Sequence, residues 1–181
     1  MNTVPSAFAN ADARYISSSK SRSQLFVRDT DGHYIAAEDD FVIDAARKVV
    51  ERFVAKGLKL TSPDLVRDYL WLQFAGYEQE VFGVVFLDTQ HQVIEFTEMF
   101  FGTIDSASVY PREVVKKALQ LNAGAVIFAH NHPSGQPDPS DSDRRITDRL
   151  KEALGLIDVR VLDHIVVGGS ESVSFAEKGW V

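Results

Sequence analysis

Two continuous apolar stretches limit the folds that this chain can adopt. Val81–Leu87 and Ala125–Ala129 contain no polar side chain. A strand without polar positions is typical of a sheet that is covered on both faces. A strand with one solvent-exposed face would instead alternate apolar and polar residues. Only the short turn 88–91 separates the first stretch from a second strand, Val93–Phe101, so these two strands are expected to be antiparallel. Strands intermixed with helices then predict a layered domain of the α/β or α+β class.

Helical patterns lie on both sides of these strands. Apolar residues recur three and four positions apart after Asp40, which is the spacing of one helix face. Ser62 followed by Pro63 is an N-terminal helix signal, and Pro111 begins another helix. The predicted helices cover residues 41–56, 63–75, 111–121 and 140–154, a hairpin or turn lies near 25–35, and further strands lie near 158–168 and 172–175.

The amino-terminal part differs in composition from the rest. Residues 1–24 are rich in serine and poor in large apolar side chains, so they cannot bury enough surface to offset the entropy of ordering. We therefore predict a mobile arm over 1–24, a helical extension over 25–60 and a main domain over 61–181.

Composition excludes several classes of protein. The chain has 181 residues, a net charge of −7 and no cysteine, which excludes disulfide scaffolds and cysteine zinc fingers. No apolar run reaches the roughly 20 residues that span a bilayer, and no secretion leader is recognisable, so we expect a cytoplasmic protein without a membrane partner. An acidic chain also has little capacity for unspecific contacts with DNA phosphates, which makes DNA binding doubtful.

His130 and His132 stand two positions apart where the second apolar stretch ends. Side chains at i and i+2 of an extended chain face the same side, so the two imidazoles can converge on one cation. Ser140 and Asp143 occupy the predicted start of the next helix, from which the Asp143 carboxylate can turn back toward the histidines. Taken singly, each histidine is more typical of an ordinary core or surface group, and the aspartate of a helix cap, than of a metal ligand. Together they form a ligand set that suits one Zn²⁺ ion and leaves a fourth position open.

The spacing of these four residues resembles the JAMM motif H-x-H-x7-S-x2-D of the JAB/MPN metalloprotease fold. The words HNHPSG at 130–135 and DH at 163–164 are similar to the RadC-like branch of that family. The resemblance covers roughly residues 60–181. It implies a mixed β-sheet flanked by helices, a zinc ion held by His130, His132 and Asp143, and hydrolysis of a peptide or isopeptide bond. It also implies that Ser140 donates a hydrogen bond to the substrate oxygen that becomes negative.

The family uses a glutamate just before an early apolar strand, and Glu80 occupies that position here. A carboxylate there can take a proton from the attacking water and return it to the leaving amine. Glu98 remains an alternative, because it shares the alternation of Ile94, Phe96 and Phe100 and is expected to point inward. His164 is either a group that supports the site or an ordinary packed histidine of a strand.

RadC-like proteins generally carry a helix-hairpin-helix segment ahead of this domain, and the chain resembles a short form without it. The leading expectation is a zinc-dependent peptidase or isopeptidase that acts on a protein or peptide. The alternative is a DNA-repair-associated accessory protein with a structural, non-catalytic zinc site. The sequence indicates neither the substrate nor the oligomeric state.

Overall fold

The computed structural model describes residues 25–54, 57–60, 62–102 and 109–181. The predicted mobile arm, 1–24, lies outside the described residues and stays a prediction. Within the described ranges, no helix has the length and apolar character that crossing a membrane would require.

The helices and strands follow the predicted order. The strands are β1 (Phe26–Arg28), β2 (Tyr34–Ala36), β3 (Val81–Leu87), β4 (Val93–Phe101), β5 (Ala125–Asn131), β6 (Arg160–Gly168) and β7 (Glu171–Ser174). The helices are α1 (Asp39–Val54), α2 (Pro63–Phe74), α3 (Pro111–Gln120) and α4 (Asp141–Gly155). Most bounds agree with the sequence within two residues.

The chain divides into two compact units at residues 45 and 46, inside α1. The described part of the first unit holds a two-stranded antiparallel sheet, β1 with β2, in which Val27 lies opposite Ile35. Asp29 closes the turn, because its carboxylate accepts hydrogen bonds from the amides of Asp31 and His33. The domain boundary at 60/61 that the sequence predicts is not tested by this division.

The second unit contains a five-stranded sheet in the order β4-β3-β5-β6-β7. Only the β5–β6 pair is parallel, and the other neighbouring pairs are antiparallel. This mixed sheet with helices on it confirms the predicted α/β class. The apolar stretches form β3 and most of β5, neighbouring strands inside the sheet that are buried along their whole length.

The two faces of this sheet are covered by different helices. The α2 face, which includes Val85 and Ile127, packs on α2. The α3/α4 face, which includes Phe86 and Phe128, packs on α3 and α4. Because side chains alternate along a strand, His130 shares the α3/α4 face with Phe128, whereas Asn131 shares the α2 face. The end of β5 therefore sends polar groups to both sides of the sheet.

Candidate metal centre

His130 and His132 converge where β5 ends. His130 is fully buried, and its Nε2 atom lies 3.0 Å from Nε2 of His132. The Nδ1 atoms point away from each other: that of His130 contacts His164 Nε2 at 2.8 Å, and that of His132 contacts the carbonyl oxygen of Gln136 at 2.7 Å. Both Nε2 atoms are thus directed at the same point, as the spacing predicts.

The loop after β5 is held close to the sheet, which fixes the orientation of His132. The His132 amide donates to the Val167 carbonyl at 2.7 Å. Gly168 permits this approach, because a Cβ atom there would lie 2.5 Å from the Pro137 nitrogen. The carbonyl of Gln136 can only accept, so His132 donates from Nδ1 and its Nε2 atom carries a lone pair.

Asp143 reaches the two imidazoles from the first turn of α4. Ser140 and Asp143 form a reciprocal cap, in which the Ser140 amide and hydroxyl both donate to Oδ2 of Asp143, at 2.7 and 2.8 Å. The other carboxylate oxygen, Oδ1, lies 3.5 Å from His130 Nε2, and Oδ2 lies 4.0 Å from His132 Nε2. The helix cap therefore orients the carboxylate toward the histidines.

The Ser140 hydroxyl is committed to this cap. Its oxygen accepts from the Asp143 amide at 3.1 Å, and its one proton goes to Oδ2 of Asp143. In this arrangement Ser140 orients the carboxylate, and a hydrogen bond to a substrate would require the proton to turn away from Asp143.

Glu80 lies on the same side as the imidazoles, immediately before β3. One donor atom from each of Glu80, His130 and His132 lies within 4.8 Å of the others. The Glu80 backbone is held from two sides. Its carbonyl accepts a hydrogen bond from the Gly102 amide at 2.8 Å. The Asn131 side chain bonds to the two residues that flank Glu80, Gln79 and Val81. The structure therefore brings together Glu80 and the histidine pair that the sequence singles out.

Asn131 provides a contact that sequence reasoning missed. Its side-chain oxygen accepts from the Val81 amide at 2.8 Å, and its amide nitrogen donates to the Gln79 carbonyl at 2.9 Å. The main-chain pairing of β3 with β5 ends at Phe82 and His130. Beyond that pair, the Asn131 side chain links β5 to Val81 and Gln79. The only signal in the sequence is a polar residue between two histidines at a strand end.

Glu98 lies on the other face of the sheet from the imidazoles. A register shift between Phe82 and Gly83 breaks the alternation of β4, so that Glu98 lies opposite Gly83 and Phe100 opposite Phe82. The Glu98 carboxylate accepts a hydrogen bond from the Tyr77 hydroxyl, and burial together with this contact raises the pKa of Tyr77 to about 12. Glu98 shares the face of Phe96, as expected, but not the face of Phe100, because the bulge reverses the phase of β4 between them.

His164 and Thr147 extend the cluster into the interior, on β6 and α4. His164 is fully buried and contacts the Thr147 hydroxyl oxygen with Nδ1, at 2.6 Å. The same hydroxyl donates to the carbonyl oxygen of Asp143 at 2.6 Å. His164 is thus a buried strand histidine, and it also contacts the proposed ligand His130 directly. Sequence reasoning did not identify Thr147.

Burial keeps the inner imidazoles neutral near pH 7. Desolvation lowers the pKa of His130 to about 4, against a smaller raising effect of the Asp143 carboxylate. Desolvation also lowers the pKa of His164 well below its usual range, and the neighbouring His130 and His132 act in the same direction. A neutral imidazole is the form that binds a metal ion.

The donor set fits a small tetrahedral cation. Ligand atoms roughly 2.1 Å from a tetrahedral ion lie roughly 3.4 Å from one another. The distances of His130 Nε2 to His132 Nε2 and to Asp143 Oδ1, 3.0 and 3.5 Å, are close to that value. Two lone pairs directed at one point also repel unless a cation or proton lies between them. The His/His/Glu group, with Asp143 beside it, could therefore hold a metal ion.

A cavity of about 510 Å³ leads from the surface to this group. Its walls come from the segment before β3, the end of β4 and the loop after β5, and they are formed by Glu78, Gln79, Glu80, Gly102, His132, Pro133 and Ser134. Glu80 and His132 are both part of these walls, so the metal-binding group borders the cavity.

Comparison with known proteins gives a consistent result. The family model described as RadC-like JAB domain matches residues 60–180. A UPF0758 protein of Vibrio cholerae is 59% identical over 140 residues, covering 77% of this chain and 88% of the relative. UPF0758 proteins of Shewanella baltica and Chromohalobacter salexigens are 59% and 58% identical over 138 and 139 residues, 76% and 77% of this chain. The chain covers only 61% and 62% of the length of these two relatives.

The fold, the metal-binding group and these matches together define the class: the chain belongs to the RadC-like JAB domain family. The names of the relatives state no activity, so the chemistry has to be argued from the site.

Proposed function

We propose that this protein is a zinc-dependent metallohydrolase that cleaves a peptide or isopeptide bond. The observation that supports the proposal is the convergence of His130 and His132 Nε2, 3.0 Å apart, with carboxylates from Glu80 and Asp143 beside them at the end of an open cavity. Structural zinc sites are closed, whereas catalytic sites keep a position that substrate can reach. The proposed catalytic domain is 61–181.

His130, His132 and Asp143 would hold the ion in this proposal. Zinc would supply a Lewis acid that lowers the pKa of water to about 7 and polarises a carbonyl. Glu80 would accept the proton of the attacking water and return it to the amine that leaves, so that one C–N bond breaks and one C–O bond forms. The cap by Ser140 would keep Asp143 in place, and the same hydroxyl would serve a substrate oxygen only after releasing Asp143.

The alternative is an accessory protein with a structural metal, and one observation favours it. Glu80 is close enough to both imidazoles to be a ligand itself, and with Asp143 it would complete four protein ligands. Such a site would have no place for substrate. The role of Glu80 therefore separates the two functions.

The test compares Glu80→Gln with Glu78→Gln, a matched change in the same cavity wall. Zinc content and affinity are measured first, and hydrolysis of a set of peptides and lysine-linked isopeptides is then followed with and without chelator. We expect Glu80→Gln to retain zinc and to lose at least about 10²-fold in turnover, the scale of general acid–base catalysis. Glu78→Gln should retain both.

Two results would contradict the proposal. An unchanged chain that binds zinc and hydrolyses none of these substrates would favour the structural alternative, above all if Glu80→Gln loses zinc. Chelator-resistant turnover would show that the metal is not needed.

The proposal also includes the cellular compartment and the partner of the protein. A chain of 181 residues without cysteine fits a reducing cytoplasm, where disulfides do not persist. The proposed partner is a protein or peptide substrate that enters the cavity between the segment before β3 and the loop after β5.

A further inference from the structure

We infer that His164 and Thr147 are positioning residues that fix the tautomer of His130, so that its Nε2 lone pair faces the metal. The inference rests on the proposed function in one respect, namely that a metal binds at His130. It concerns residues outside the ligand set and is derived from the direction of three buried hydrogen bonds.

The direction is set at Thr147. Its hydroxyl oxygen lies 2.6 Å from the Asp143 carbonyl oxygen and 2.6 Å from His164 Nδ1. A carbonyl can only accept, and the hydroxyl has one proton, so Thr147 donates to Asp143. Its contact with His164 then requires that His164 donates from Nδ1.

The next two steps follow from the number of protons. A neutral imidazole carries one ring proton, so His164 accepts with Nε2 once Nδ1 is the donor. His130 must therefore donate from Nδ1 across the 2.8 Å contact. Its own Nε2 atom is left with a lone pair, and this atom faces His132 and Asp143.

This arrangement gives every contact between the Asp143 carbonyl and His130 its own proton, and it leaves the two facing Nε2 atoms of His130 and His132 for a cation. The His164 ring is packed among the apolar rings of Phe82, Phe128 and Phe175, with centroids 5.5, 5.9 and 4.6 Å away. A proton moved to His164 Nε2 would face the N–H of His130. His130 would then carry its proton on Nε2, where it would be donated to His132 and block metal binding. One of the two 2.6 Å contacts of the Thr147 hydroxyl would also be left without a proton.

The chain of bonds also joins two proposed ligands. It begins at the Asp143 carbonyl on α4, passes through Thr147 and His164, and ends at His130 on β5. Outer partners of metal-binding histidines typically change metal affinity about 10- to 100-fold when they are removed.

The matched test uses Thr147→Val and Thr147→Ser. Valine keeps the shape and loses the hydroxyl, whereas serine keeps the hydroxyl and loses a methyl group. Zinc affinity is measured by competition with a chromophoric chelator. We expect the valine variant to bind zinc about 10- to 100-fold more weakly and the serine variant to stay within about threefold of the unchanged chain. A packing role alone would give the reverse order.

A second measurement does not depend on any variant folding. Ring ¹⁵N NMR of the unchanged, metal-free chain reports which nitrogen of each histidine carries the proton. We expect the proton of His164 on Nδ1. A proton on Nε2 of His164, or equal zinc affinity of the valine and serine variants, would overturn the inference. Failure of the unchanged chain to bind zinc would instead overturn the proposed function.

Discussion

The two faces of the large sheet are built from the same strands and differ in what they bury. The α2 face is mostly apolar and carries scattered polar groups such as Glu98 and Ser174. The α3/α4 face instead ends in one cluster of four buried polar residues, His130, Asp143, Thr147 and His164. On that second face each of the four residues contacts a polar group from another element: His130 contacts both Asp143 and His164, and Thr147 contacts His164. Polar side chains are thus buried where they satisfy one another, because an unpaired buried group is costly.

This difference assigns distinct roles to the faces. Apolar contacts on the α2 face act on stability alone, since their energy depends on area and not on direction. The hydrogen bonds on the α3/α4 face also determine which ring nitrogens of the histidines carry protons and how the imidazole rings are oriented. Substitutions on the two faces should therefore separate folding from metal binding.

The largest effect is expected from His132→Ala. Removing one of three proposed ligands should abolish stoichiometric zinc and leave most of the core folded, because His132 lies at the edge of the cluster. Metal analysis of the purified variant measures this, with the exposed turn histidine His33 replaced by alanine as the control. A full equivalent of tightly bound zinc in His132→Ala would remove it from the ligand set.

The next effect belongs to the α2 face. Leu70 is fully buried there, so Leu70→Ala should lower the free energy of unfolding by about 2–5 kcal/mol. Chemical denaturation measures the loss. Zinc affinity of the folded variant should equal that of the unchanged chain, and a parallel loss of affinity would show that the two faces do not act separately.

Acid should weaken the α3/α4 face of the metal-free protein. Burial lowers the pKa of His130 to about 4 and holds that of His164 well below its usual range. As the pH falls, these histidines therefore take up protons in the unfolded chain before they do so in the folded chain. Stability is therefore full above the usual histidine pKa near 6.5 and falls as the pH drops toward about 4. Denaturation at several pH values tests this, and a free energy of unfolding that does not change between pH 7 and pH 5 would contradict it.

The smallest effect is expected for DNA. The chain carries a net charge of −7, so we expect binding to a labelled duplex no tighter than the roughly 10⁻⁴–10⁻⁶ M of unspecific contacts at physiological salt. A salt titration of the full chain and of a chain starting at Asp39 measures it. Tight binding by the shorter chain would favour the accessory-protein alternative.

The strands and the histidine pair could be predicted because their signals are local. Val81–Leu87 is buried on both faces as its composition indicates, and His130 and His132 share a side because they are two residues apart. Ser140 and Asp143 form the cap that their spacing predicts.

The supporting contacts could not be predicted, because they join distant parts of the chain. His130 meets His164 across 34 residues, and Asn131 meets Val81 across 50. Neither pairing has a local pattern. The change of face between Glu98 and Phe100 could not be predicted for a different reason. The bulge has no glycine or proline in β4 itself, and the glycine that lies opposite it, Gly83, belongs to β3.

X-ray absorption spectroscopy of the zinc-loaded protein reports the metal ligands themselves. We expect one zinc ion per chain with two imidazole nitrogens and oxygen ligands at about 2.0–2.2 Å. In His132→Ala, the spectrum should show one imidazole ligand fewer, or the ion should be lost. A zinc ion bound without imidazole ligands, or no bound zinc at all, would show that His130 and His132 do not form a zinc site.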